Sequence, residues 1–200
     1  MPFKHLLGYS ERHMNDTAKR ILDLAEALWL ERGFNGFSYH HLAQPLGLKN
    51  AAIHYHYPTK TDLGLALVGR YRRRIRRTAE HHAITTQDAW QKLEWYVDLL
   101  TMDYADSERL CPTGMLAAEW ATLPEPVREE ARAFMQELYQ WCLGVLREGI
   151  AGGYFQFAGS CEDKAATLLA TLQGALQLAR FDPTWMDAVK KQLRLDLGAR

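Results

Sequence analysis

Residues 37–63 read FSYHHLAQPLGLKNAAIHYHYPTKTDL, and this stretch decides the fold. Ser38 is a helix N-cap residue, with Phe37 before it and Leu42 after it at the spacing of a hydrophobic staple. Pro45-Leu46-Gly47 interrupts this first helix, Tyr39–Gln44. A second short helix runs from about Lys49 to Tyr57 and is stopped by Pro58. Thr59 with Asp62 forms a capping box for a third, which lacks a breaker until about His81. Two short helices joined by a tight glycine-containing turn make a helix-turn-helix when the second is exposed and polar. Here Leu42 and Ala43 turn inward and Leu46 and Leu48 plug the turn. The second helix buries chiefly Ile53 and shows Lys49, Asn50, His54, Tyr55 and His56.

That division of side chains suits a rod lying in the major groove of DNA. Asn bonds adenine edges, Lys and His reach guanine or phosphate, and Ala51 and Ala52 permit close approach or contact with a thymine methyl. Lys60 sits beside the free N–H groups of a helix start, an anion site suited to phosphate. Tyr39 offers its hydroxyl to the same kind of partner. The pairs His40-His41 and His54-x-His56 lack a Cys or carboxylate at ligand spacing, so they read as solvated or phosphate-facing residues and not as a metal site.

Upstream, Asn15, Asp16 and Thr17 supply N-cap oxygens, and Ile21, Leu24, Ala25 and Leu28 recur on one helical face up to the C′ glycine Gly33. Charge separates this region from the rest. The 200 residues balance 24 Lys+Arg against 24 Asp+Glu. Residues 1–80 hold 13 basic and 7 acidic residues, a net of +6, whereas residues 81–200 hold 11 and 17, a net of −6. A basic N-terminal part suits a polyanion. Hydrophobic residues at 48% and charged residues at 24% exclude a disordered chain, and three cysteines are too few for a disulfide framework. There is no apolar run of bilayer length and no secretory signal pattern at the N-terminus, so the expected location is the cytoplasm.

Downstream the pattern stays helical: Thr86 to about Asp106, Gly114–Leu123, a long helix from Pro124 through Glu148, then Glu162–Arg180 and Pro183–Leu195. The expected fold is all-α with about nine helices. A three-helix helix-turn-helix domain spans 14–65 and extends through a linker helix to about 81; residues 82–200 form a helical ligand-binding and dimerisation bundle. Six arginines between Arg70 and Arg77 point all round a helix, a solvated face with some pairing to acids elsewhere. The bundle is rich in aromatic and Met side chains, including Trp90, Trp95, Tyr96, Met102, Tyr104 and Trp141. Most are core, but the supply suits a pocket for a small apolar or planar molecule, for which Trp95, Met115, Glu119, Trp120 and Tyr139 are the candidates. Ala165, Leu168, Leu169, Leu172, Ala175, Leu176 and Ala179, with Trp185, Val189 and Leu193, form an apolar stripe that two subunits would join as a four-helix interface. The alternative is that the stripe packs within its own chain.

The residues Gly33-Phe34, Phe37-Ser38, Leu42-Ala43, Leu46-Gly47-Leu48, Ile53-His54-Tyr55-His56-Tyr57-Pro58-Thr59-Lys60 and Asp62-Leu63 together resemble the DNA-binding domain of TetR-type transcriptional repressors, over about 14–65. The resemblance implies a homodimer on a palindromic operator, released when an effector enters the C-terminal domain. By position it implies phosphate contacts from Ser38 and Tyr39, base contacts from Lys49, Asn50, Ala51, Ala52 and Tyr55, and backbone contacts from His54 and Lys60. The chain departs from the family pattern at Lys49, Ala51 and His54, which bears on the operator sequence. The segment Leu110–Glu119 resembles members that sense electrophiles or oxidants through cysteine. There Cys111 would be the sensor, its thiolate favoured by Arg109 and a helix N-terminus; an inert, packed cysteine is the other reading.

Two rival functions share these helices. One is a helical enzyme using His40, His41, Cys111 or Glu119. The other is a protein-interaction adaptor. No phosphate loop, nucleophile elbow or zinc helix pattern is present, and no cofactor is implied. Neither rival accounts for a basic helix-turn-helix, so a non-enzymatic, ligand-responsive DNA-binding regulator is the expected function.

Overall fold

A computed structural model describes residues 16–104 and 111–199, without the side chains of 101–104. Among the described residues there are nine α-helices: α1 (Asp16–Arg32), α2 (Tyr39–Leu46), α3 (Asn50–His56), α4 (Lys60–Thr85), α5 (Ala89–Tyr104), α6 (Pro112–Ala118), α7 (Glu125–Ala151), α8 (Cys161–Leu178) and α9 (Thr184–Asp196). A 3-10 turn, Trp120–Thr122, follows α6. The chain divides into two compact units, 1–67 and 68–200, and the division falls inside α4.

In the first unit α1, α2 and α3 pack on one another. Leu22 and Trp29 join Ile21, Ala25 and Leu28 as buried residues of α1; Leu24, on the expected face, is half-buried. Arg32 gives way to Gly33 at φ 82, a left-handed conformation that only glycine adopts freely. Helix α2 runs two residues beyond the Tyr39–Gln44 expected, through Pro45. Proline removes one helical hydrogen bond, and the helix then ends in the next turn at Gly47, φ 66. There the N–H of Gly47 donates to the Gln44 carbonyl (3.2 Å) and that of Leu48 to Ala43 (2.9 Å), a Schellman ending. Ser38 starts α2, and its N–H donates to Nδ1 of His41 at 3.2 Å. Thr59 and Asp62 cap α4 reciprocally: the Thr59 N–H donates to Oδ2 of Asp62 (2.9 Å) and the Asp62 N–H to Oγ1 of Thr59 (3.1 Å).

The second unit is organised on α7, which packs against α5, α6 and α8, while α9 covers α8 and α5. Asp88 caps α5 through Trp90 N–H (2.8 Å), and Ser160 caps α8 through Asp163 N–H (3.0 Å). Helix α4 continues to Thr85, a turn beyond the expected end at His81, and α6 stops at Ala118, short of Leu123. Lys190 ties α9 to α5 through Asp98 (2.7 Å) and Glu94 (3.2 Å). Lys92 ties α5 to α7 through Glu148 at 2.6 Å.

The apolar stripe of α8 expected between subunits lies within this unit instead. Ala165, Leu168, Leu169, Leu172, Ala175, Leu176 and Ala179 are all buried in the single chain. With α7, α5 and α9 packed against it, α8 keeps an exposed side that carries Ala166, Ala170, Gly174 and Leu178. Large apolar side chains exposed in this unit include Leu178, Phe181 and Trp185 at the α8–α9 corner, Leu195 at the far end of α9, and Ile84 and Ile150 on α4 and α7. Among the described residues no helix is long and apolar enough to cross a membrane.

Candidate nucleic-acid interface

Helix α3 buries one side chain. Ile53 is fully enclosed, while Asn50, Ala51, His54 and Tyr55 are exposed, Tyr55 at 81%. Lys49 is the exposed N-cap, and Ala52 and His56 are half-buried. Seven residues do not hold a helix by themselves in water. Ile53 fastens α3 from beneath, and Tyr57, at its C-cap, is buried with its hydroxyl donating to the Ala18 carbonyl at 3.2 Å. The polar face is therefore presented on a fixed support, as reading base edges requires.

Histidine tautomers follow from these contacts. Nδ1 of His54 lies 3.0 Å from the Pro58 carbonyl, which only accepts, so Nδ1 carries the hydrogen. In the neutral ring Nε2 is then an acceptor. His41 is the reverse: its Nδ1 accepts from Ser38 N–H, so its neutral ring keeps an Nε2–H donor. The exposed His41 has donor chemistry suited to phosphate, in keeping with the phosphate-facing reading of His40-His41, though the family resemblance assigns it no contact. Its position at N3 of α2, where it closes the cap, was the available signal for one.

Two residues differ from expectation. Tyr39 is buried at 9% exposure, and its hydroxyl donates to the Tyr57 carbonyl at 2.7 Å. Its ring meets that of His54 edge-on, with centroids 4.6 Å apart. Burial first, then Asp62, pushes its phenol up to about 12. The hydroxyl offered to phosphate in the sequence reading is thus engaged inside the unit. Lys60 donates from Nζ to the Phe37 carbonyl, and the ammonium stands 4.9 Å from the ring centroids of both Phe34 and Phe37. This brace joins the start of α4 to the loop before α2. Ser38 is exposed, beside the first turn of α2.

In the second unit the five pocket candidates stand in different surroundings. Met115 is buried, and Glu119 is half-buried at the end of α6. Trp120 is 37% exposed, with the Arg132 guanidinium over its ring at 5.4 Å. The hydroxyl of Tyr139 donates weakly to the Glu162 carbonyl at 3.4 Å. Trp95 belongs instead to an aromatic cluster. His82 stacks on it at 4.6 Å and 22°, and Trp141 meets both Trp95 (6.0 Å) and Tyr96 (5.3 Å). Burial, and then His81, lowers the pKa of His82, which favours the neutral stacked ring. A separate cavity of about 110 Å³ lies between α8 and α9, lined by Leu168, Leu193 and Leu197 with Lys164 and Gln192 at its polar edge.

Cys111 is buried at 2% exposure, its sulfur 3.0 Å from the Thr113 hydroxyl and 3.7 Å from Nε2 of Gln173, which also donates to that hydroxyl. The Arg109 invoked beside it, like Asn15, lies outside the described residues. Cys142 is fully buried, and burial pushes its thiol up to about 12. Among the described residues no group of His, Cys, Asp and Glu is arranged to hold a metal ion.

A three-helix unit that displays a short polar helix, joined to a larger helical bundle, defines the class of helix-turn-helix regulators. Comparison with known proteins specifies the family. Residues 21–67 match the model of bacterial regulatory proteins of the tetR family, and residues 94–193 match the tetracyclin repressor-like C-terminal domain. A TetR-family transcriptional regulator from Agrobacterium tumefaciens superposes with a TM-score of 0.85 at 32% identity, over 90% of this chain and 96% of that one. A TetR regulator from Legionella pneumophila gives 0.83 at 28%, over 92% and 99%. The HTH-type transcriptional regulator LmrA of Bacillus subtilis is 24% identical over 125 residues, 61% of this chain and 66% of LmrA. The chain belongs to the TetR family of transcriptional regulators.

Proposed function

We propose that this chain works as a homodimer that binds a palindromic DNA operator through two copies of α3 and lets go when a small molecule binds the C-terminal bundle. The observation that carries the reading is the division of α3 into one buried anchor and an exposed set of hydrogen-bonding groups. Lys49, Asn50, Ala51, Ala52 and Tyr55 read bases, and Ser38, His41 and His54 meet the backbone. Lys60 braces the unit and adds positive potential at the start of α4. One such helix makes too few contacts for tight specific binding, whereas a dimer reads two half-sites about 34–36 Å apart or a multiple of that. The exposed Phe181, Trp185, Leu178 and Leu195 are the residues we assign to the subunit interface on α8 and α9. Such a protein acts where the chromosome is, in the cytoplasm.

Release follows from a change of spacing. Helix α4 is continuous across the boundary of the two units. A ligand that binds one arrangement of the bundle better moves α4, and the paired α3 helices then miss consecutive grooves. The aromatic cluster of His82, Trp95, Tyr96 and Trp141, at the end of α4, supports a planar or apolar effector. The test is selection from random DNA followed by salt titration with the selected duplex. The expected result is a palindromic preference and binding that weakens steeply with salt. Recovery of no preferred sequence overturns the reading and returns the chain to the adaptor or enzyme class.

A further inference from the structure

Helix α4 contains six arginines between residues 70 and 77; Arg70, Arg72 and Arg74 are half-buried, and Arg72 is held by carboxylates of another helix. Arg72 donates from Nε to Oε2 of Glu137 (2.8 Å), from Nη2 to Oε1 of Glu137 (2.5 Å) and from Nη1 to Oε1 of Glu130 (2.9 Å). Its side chain is 24% exposed, whereas Arg73, Arg76 and Arg77 lie on the exposed side of α4. Glu130 and Glu137 are seven residues apart, two turns along one face of α7, so the guanidinium straddles about 10 Å of helix. Beside this fork an apolar contact joins the same two helices: Tyr71 and Ile75 of α4 pack with Phe134 of α7, which lies between the two acids, and the Tyr71 and Phe134 rings meet edge-on at 5.5 Å. The hydrogen bond from Arg72, ahead of its charge, holds the Glu137 carboxyl below the usual range, so the fork is intact at neutral pH and opens only in acid.

Apolar contacts tolerate sliding, because dispersion has little direction. A fork to one carboxylate with a third bond to another does not, since a shift of α4 along α7 breaks bonds of fixed geometry. We propose that Arg72 is a positioning residue for DNA binding: its fork to Glu137 and Glu130 fixes the register of α4 on α7, and so the resting position of the helix that leads into the DNA-binding unit. This rests on the operator-binding function proposed above. It adds where the allosteric movement is held, and it assigns Arg72 no contact with DNA.

The test uses the full chain with the duplex selected by the wild type, and three single variants: Arg72→Lys, Glu137→Gln and Glu130→Gln. Loss of register lowers operator affinity about tenfold for Glu137→Gln, which removes the charge and one of the two oxygens of the fork, and less for Glu130→Gln, which removes a charge but keeps an amide oxygen to accept the single bond. Arg72→Lys, which keeps the charge and loses the fork, falls in between. The slope of log affinity against log salt stays at the wild-type value in all three, because no phosphate contact is lost. A DNA-free readout accompanies these: nitroxide labels at Gln44→Cys on α2 and Gln140→Cys on α7, in a Cys161→Ser background, whose distance distribution shifts or broadens in Glu137→Gln. If the melting temperature falls but affinity and label distance stay at wild type, Arg72 is a structural brace and the proposal is wrong. A salt slope lowered by about one in a further variant, Arg72→Gln, which removes the charge, also overturns it, by making Arg72 a DNA contact. If the wild type selects no operator, the regulator reading fails, and the label distances alone decide whether Arg72 sets the register.

Discussion

At the scale of single residues, the same chemistry serves either binding or bracing, according to where the nearest acceptor lies. Lys60 stands where a phosphate-binding lysine would stand, yet its ammonium has an internal acceptor in the Phe37 carbonyl and two aromatic faces. Lys60→Ala is therefore expected to lower the melting temperature while leaving the salt slope of operator binding unchanged, in thermal denaturation and salt titration run side by side. Tyr39 makes a second case. Its folded pKa, about 12, exceeds the unfolded value near 10, so its contribution is whole below pH 10 and drains away as pH rises towards 12. Tyr39→Phe should cost about 1 kcal/mol at pH 7 through the lost hydrogen bond, and the gap from wild type should narrow at pH 11 in urea denaturation. Among the thiols, Cys111 and Cys142 are buried and Cys161 is half-exposed. A maleimide at pH 8 should label Cys161 first, and Cys142 stays a protonated thiol there because burial holds its pKa far above that pH. Cys111→Ser should spare operator affinity. Electrophile-induced release that persists in this variant removes Cys111 as the sensor.

At the scale of elements, α3 shows how a helix too short to be stable alone is made rigid. Its contributions are separable, because Ile53 faces inward and Asn50 outward. Ile53→Ala should destabilise the first unit by about 2–5 kcal/mol and weaken binding to every sequence alike as α3 frays. Asn50→Ala should leave stability within about 0.5 kcal/mol and change which base is preferred at one position of each half-site, read by repeating the DNA selection. Helix α7 plays the corresponding part in the second unit. Every other helix of the bundle is fixed by what it places against α7 or α8, and α4 is held there by Arg72, Tyr71 and Ile75.

At the scale of the whole molecule, the proposed function depends on symmetry that one chain cannot supply. We assign it to exposed apolar residues of α8, α9 and the turn between them, among which Phe181, at 84% exposure, is the most exposed large apolar side chain. Phe181→Asp together with Trp185→Asp should give a monomer in sedimentation equilibrium, keep the helical circular dichroism spectrum and lower operator affinity by about 100-fold or more. A dimer converts the second half-site into an intramolecular contact, and a monomer loses that gain. Retention of dimer mass by this variant would move the interface elsewhere on the chain.

The helix-turn-helix was legible in the sequence because its signals are local. Ser38, Gly47, Pro58 and the Thr59–Asp62 cap act on neighbours a few residues away, and the burial of Ile53 follows from period and spacing. The charge split between the two parts needed only counting. What tertiary structure alone decided was where each side chain found its partner across long separations in sequence. Tyr39 reached Tyr57, Lys60 reached Phe37, and Arg72 reached Glu130 and Glu137, each turning an outward-looking group into an internal tie. The α8 stripe was apolar in either reading, and periodicity cannot say whether such a face meets its own chain or another. Only the packing of α7, α5 and α9 around it assigned the stripe to the core and left the α8–α9 corner to solvent. Local capping and periodicity fix where helices begin, end and face, whereas hydrogen bonds and burial between distant segments are settled by the three-dimensional arrangement that brings those segments together.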